Sequence, residues 1–176
     1  MRNYLILVFI FFFQIITSQT SVTKAVETTT QITPINKLFW YNDLSKAVPI
    51  SIKENKPIML FFTGSDWCGW CMRLQREVFN FPKFKSWTDS SVVLVELDFP
   101  RRKKIDPNLM NQNRELARIF GVSGYPTVWL VEPQILESSK VNFIKLGKLG
   151  YVAGGPEKWI SVAEKFLIQN YINYLY

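Results

Sequence analysis

Cys68 and Cys71 are the only two cysteines in the chain, which contains no histidine at all. These two facts remove most thiol and metal chemistry. Ser-His-Asp and Cys-His catalysis have no base, and a His-ligated zinc has no ligand. A c-type haem needs a histidine where Met72 stands. A Cys₄ zinc or iron–sulfur site cannot be built from two sulfurs in one chain. No metal or other cofactor is expected, and any thiol chemistry passes through Cys68 and Cys71.

The pair sits in Trp67-Cys68-Gly69-Trp70-Cys71, between the apolar run Ile58–Phe62 and a stretch with Met72, Leu74, Val78 and Phe79 at helical spacing. A Cys-x-x-Cys at a helix start sets its first sulfur beside unpaired backbone N–H groups and the positive end of the helix dipole. That placement favours the thiolate, the attacking form of a thiol. The second sulfur, one turn further in, is within disulfide reach and shielded, while Gly69 and Trp70 keep the turn between them tight. A structural disulfide is the competing use, although so short a loop removes little chain entropy. A zinc site shared between subunits is the other.

Around the motif, Asn42 or Asp43 caps a short helix through Leu44–Val48, which Pro49 is expected to interrupt. Ile58–Phe62 reads as a strand buried on both faces, and Thr63–Asp66 as a turn on which Asp66 is exposed and opposes thiolate formation. The helix from Cys71 to Phe79 is expected to stop or kink at Pro82. Residues 91–97 form a second buried strand, and Arg101–Lys104 a solvated basic loop. A helix starts at Asn111 or Asn113, presents Leu116, Ile119 and Phe120 on one side and closes at Gly121. Residues 126–131 form a third strand and 141–148 a weaker fourth, in which Gly147 marks a turn or bulge. The last helix, from Glu157, carries Trp159, Val162, Ala163, Phe166 and Leu167 as a core stripe. Strand–helix–strand units imply parallel pairing, and the closing strand–strand–helix an antiparallel edge.

The segment FTGSDWCGWCMRLQREVF resembles the active-site segment of the thioredoxin superfamily, and within it the exported bacterial thioredoxin-like proteins related to the C-terminal domain of the DsbD reductase. Gly124-Tyr125-Pro126-Thr127 resembles that superfamily's cis-proline loop. The resemblance covers about residues 37–170. It implies an α/β, thioredoxin-like three-layer fold with a central mixed β-sheet flanked by helices, and thiol-disulfide exchange as the activity. Cys68 would be the nucleophile and Cys71 the resolving thiol, together the redox-active disulfide. Pro126 would be cis, and Trp67, Gly69, Trp70, Tyr125 and Pro126 would bind an extended substrate segment. The buried Asp of cytosolic thioredoxins is missing from Leu60-Phe61-Phe62, and Gly-Trp replaces their Gly-Pro, so the direction of electron flow is left open.

The first residues set the compartment. Arg2 is the only charge before Lys24, and an apolar run from Tyr4 to Phe13 ends in small polar residues. This is the pattern of a secretory signal peptide over 1–19, with an uncleaved membrane anchor as the alternative. Residues 20–36 read as a flexible leader and 37–176 as the folded domain. The protein is expected to be exported, periplasmic or extracellular, and to exchange with protein thiols and disulfides, with a membrane electron donor if it works as a reductase. The formal charge of +7 reads as a solvated surface, not a nucleic-acid site. A non-catalytic interaction module, or a thiol reductase dedicated to a client such as an apocytochrome, are the competing roles.

Overall fold

The computed structural model describes residues 38–137 and 140–175. The expected signal peptide and leader lie outside them. The elements run α1 (Leu44–Glu54), β1 (Ile58–Thr63), α2 (Gly69–Leu74) continued by a π-helical turn (Gln75–Phe79), α3 (Pro82–Ser91), β2 (Val93–Asp98), α4 (Pro107–Ile119), β3 (Thr127–Ile135), β4 (Val141–Leu149) and α5 (Gly155–Leu175).

One mixed sheet in the order β2-β1-β3-β4 forms the middle layer. β1 and β2 are parallel, with Ile58 opposite Val93 and Thr63 opposite Asp98. β3 lies antiparallel to β1, and β4 antiparallel to β3. Strand alternation sends β1 side chains to two cores. Ile58, Leu60 and Phe62 meet Ala47 and Val48 of α1 and Leu116 of α4 on one face. Met59 and Phe61 meet Leu74, Phe84, Trp159 and both cysteines on the other. β1 is therefore apolar throughout because both its faces are covered.

The three-layer architecture agrees with the sequence; several element boundaries do not. Pro49 lies inside α1, which continues to Glu54 and closes with Asn55 in the left-handed region. At the sixth position of the helix Pro49 gives up the bond its N–H would make to the Ser45 carbonyl, and its ring lies on an exposed face. The helical stretch from Gly69 ends at Phe79, ahead of Pro82, and Pro82 itself opens α3 in its first turn, where a missing N–H costs nothing. α4 starts at Pro107 under Asp106, whose carboxylate accepts N–H bonds from Asn108 and Leu109, and not at Asn111 or Asn113. Met72 and Ile119, expected on buried faces, are 44% and 46% exposed. The unit joining β2 to β3 does not pair them, since β3 docks on the far side of β1. The β3–β4 ladder shifts register between Leu130 and Val131, facing Gly147. A Cβ at Gly147 would clash with Cγ of the Phe166 ring, so the glycine admits α5 close to the sheet.

Candidate active site

The turn leaving β1 delivers the cysteines. Cys68 caps α2, and its Sγ accepts the Cys71 N–H at 3.1 Å. The two sulfurs are joined as a disulfide, with Cα atoms 5.2 Å apart. Cys71 is fully buried and Cys68 is 5% exposed, so the outer sulfur is less open than the sequence suggested. The cause is local: in the oxidised form Cys68 belongs to the core cluster of Leu74 and Trp159, against which Trp67 and Tyr125 pack. Gly69 is exposed, and a Cβ there would meet nothing within 4 Å, so crowding does not require glycine at this point.

The flanking tryptophans differ. Trp67 is half-buried; its Nε1 donates to the Phe99 carbonyl at 2.7 Å, and its ring meets Tyr125 edge-on at 5.6 Å. Trp70 is 55% exposed, yet its ring lies 5.4 Å from that of Tyr151. Arg73, one turn along α2, sits over both rings and pairs with Glu77 at 2.9 Å. The Tyr151 hydroxyl also donates to Glu77, and this bond, followed by Arg73, holds the Glu77 carboxyl below its usual range.

The Tyr125–Pro126 peptide is cis, as the resemblance implied. Tyr125 brings this loop to the motif, touching Trp67 and Phe99 and packing against both cores. Burial pushes its hydroxyl pKa up. Of the seven residues expected at the site, Cys68, Cys71, Trp67 and Tyr125 share one cluster, while Trp70 packs on Tyr151. Sequence reasoning missed their companions Arg73, Phe99, Arg101 and Tyr151.

Asp66 departs from the sequence picture, and two carboxylates of β2 lie nearby in the sheet. Asp66 is not loose on its turn. It accepts N–H bonds from Arg101, Arg102 and Lys103 at 2.7–3.2 Å, and these hold its carboxyl below the usual range. Asp98, at the end of β2, accepts from the Ser65 N–H and hydroxyl and pairs with Lys103 at 2.9 Å. Glu96, on the same face of β2, has its carboxyl pushed up by desolvation and then by Asp98. Among the described residues, no group of three or more His, Cys, Asp or Glu could hold a metal, and no helix is long and apolar enough to cross a membrane.

A family model described as a thioredoxin-like domain matches residues 44–135. The chain is 31% identical over 113 residues to the disulfide bond reductase DsbH of Chlamydia pneumoniae, spanning 64% of this chain and 68% of that protein. A solved structure of a DsbH oxidoreductase superposes with a TM-score of 0.65 at 30% identity, covering 74% of this chain and 85% of the other. A thioredoxin from Thermus thermophilus, at TM-score 0.55 and 16% identity over 76% of this chain and 89% of its own, shares the fold.

Proposed function

The chain belongs to the thioredoxin-like domain family and is a thiol-disulfide oxidoreductase; from that premise we propose that it reduces disulfides in exported proteins, with Cys68 attacking and Cys71 resolving. In the reduced enzyme the Cys68 thiolate attacks one sulfur of a substrate disulfide. A Cys68–substrate disulfide forms and the other substrate sulfur leaves as a thiolate. The Cys71 thiolate then attacks Cys68 Sγ, the second substrate sulfur leaves, and the Cys68–Cys71 disulfide remains. Two electrons pass to the substrate. A thiol carrier in the membrane would return the enzyme to its dithiol form.

One observation carries the assignment of roles: Cys68 Sγ is the helix cap that receives the Cys71 N–H, while Cys71 is enclosed. An N–H donor facing a sulfur stabilises its thiolate relative to its thiol. The reducing direction is supported by the name of the relative. A purely structural role is disfavoured by loop size, since closing a loop of four residues stabilises a chain by only about 2 kcal/mol. Trp67, Gly69, Trp70, Tyr125 and the cis Pro126 form the substrate groove: the open ground at Gly69 admits an extended segment and the rings line it. Residues 1–19 act as the export signal, 20–36 as leader and 37–176 as the working domain, in the periplasm or outside the cell.

Trapping separates the roles. Cys71→Ser should accumulate mixed disulfides with substrate through Cys68, whereas Cys68→Ser should accumulate none. Equilibration of the pair against glutathione should give a potential near −270 mV, as for a reductant; a value near −120 mV would make the protein an oxidant and overturn the proposed direction.

A further inference from the structure

Both tryptophans of the redox motif carry an arginine on their rings. Arg101 stands 3.8 Å from the Trp67 ring centroid, and Arg73 stands 5.2 Å from that of Trp70. The two sides differ in charge. On the Trp70 side, Arg73 and Arg76 both pair with Glu77. On the Trp67 side, the exposed basic run Arg101-Arg-Lys-Lys104 adjoins the site through Arg101. Asp98 answers Lys103. Asp66 accepts its hydrogen bonds from the backbone N–H groups of the loop, and its charge also bears on Lys103. Arg102 and Lys104 have no ion-pair partner among the described residues.

The loop is thus fixed to the two positions just ahead of Cys68, Asp66 through its carboxylate and Trp67 through the Phe99 carbonyl and Arg101. A basic run that only coated the surface would not need that anchorage. We propose that it is a selecting arm, which favours polypeptide disulfides flanked by carboxylates: Arg102 and Lys104 meet the acidic residues while the cystine lies against Cys68. The inference rests on the exchange activity above and adds the class of substrate. Exposed charges act over about 10 Å at 0.1 M salt, so the preference belongs to close encounter and fades with ionic strength.

The test uses three synthetic peptides with one cystine core and Asp, Gln or Lys on either side. The full reduced protein is mixed with each, and exchange is followed by tryptophan fluorescence at low and high salt. The acidic peptide should react about fivefold or more faster than the basic one at low salt, with the ratio approaching one at high salt. Arg102→Glu with Lys104→Glu should invert the ratio. Lys46→Glu with Lys53→Glu, the same charge change on α1, should leave it in place. Equal rates for acidic and basic peptides in the unaltered protein would overturn the inference, as would inversion by the α1 pair. No exchange with any peptide would remove the activity itself and the selectivity with it.

Discussion

Replacing Gly64 by alanine tests whether the ring beside Cys68 is held as tightly as its contacts imply. A Cβ at Gly64 would lie 2.5 Å from Trp67 Nε1 and 2.7 Å from Cζ2, and closer still to Cε2, against an ordinary contact of 3.4–4 Å. The ring must therefore withdraw by about 0.9 Å at Nε1, the difference between 3.4 and 2.5 Å. Its Nε1 bond to Phe99 is 2.7 Å long, and a shift of that size along the bond takes it out of hydrogen-bond range. Overpacking costs about 1–3 kcal/mol and the lost bond about 1 kcal/mol. The stiffer unfolded chain returns about 0.4–1 kcal/mol, because Gly64 does not occupy the left-handed region. The net expectation is a loss of about 1–3.5 kcal/mol, read by urea unfolding with fluorescence detection. Exchange should slow as well, because the Arg101 and Tyr125 contacts move with the ring. Trp67→Phe removes the clashing atoms, so Gly64→Ala should cost at least about 1 kcal/mol less in that background. A Gly64→Ala protein within about 0.5 kcal/mol of the parent, or one not relieved by Trp67→Phe, would refute the packing argument.

Asp66→Asn should loosen the basic loop and change the acid limb of stability. The folded Asp66 carboxyl titrates below its unfolded value, so its contribution is fully present above the ordinary carboxylate range and is lost as pH falls from there through the lower folded value. Unfolding curves between pH 7 and pH 3 should show that limb in the parent and not in the variant. Glu96→Gln has the opposite sign: burial raises the folded carboxyl, so the parent is penalised once pH rises through that value. The variant should melt higher at pH 7, with the gap closing in acid; a lower melting point at pH 7 would contradict this. Phe79→Ala opens the cluster in which its ring meets Phe61 at 5.1 Å, Phe84 at 4.5 Å and Trp159 at 5.6 Å. A loss of about 3–5 kcal/mol is expected in denaturant, and one under about 1 kcal/mol would show that the cluster collapses without penalty.

The apolar run Ile58–Phe62 and the Cys-x-x-Cys after it were legible because each follows from a single local pattern: burial on both faces, and sulfur spacing across one turn. The stripe on α5 was legible for the same reason, and Trp159 and Ala163 are fully buried. Local patterns failed where a partner distant in sequence decides the outcome. Asp66 looks like a turn residue until the loop 35 positions later supplies its N–H donors. Arg101 looks solvated until Trp67 lies beneath it. The parallel register that sets Thr63 opposite Asp98 puts both strand ends, and so both loops, at one end of the sheet; the strand order could have given that neighbourhood. The π-helical turn at Gln75–Phe79 has no signature in composition or spacing.

The sheet also shows where truncation would do harm. Tyr41 forms a lone parallel bridge to Val95, with its N–H on the Leu94 carbonyl and its carbonyl receiving the Glu96 N–H. β2 is an outermost strand, and this short stitch occupies part of its free rim. A version of the protein beginning after residue 41 would bare those groups along an apolar ribbon, inviting a second molecule to zip on in register. Trimming the front of the domain therefore risks a sticky dimer long before it touches the sulfur chemistry.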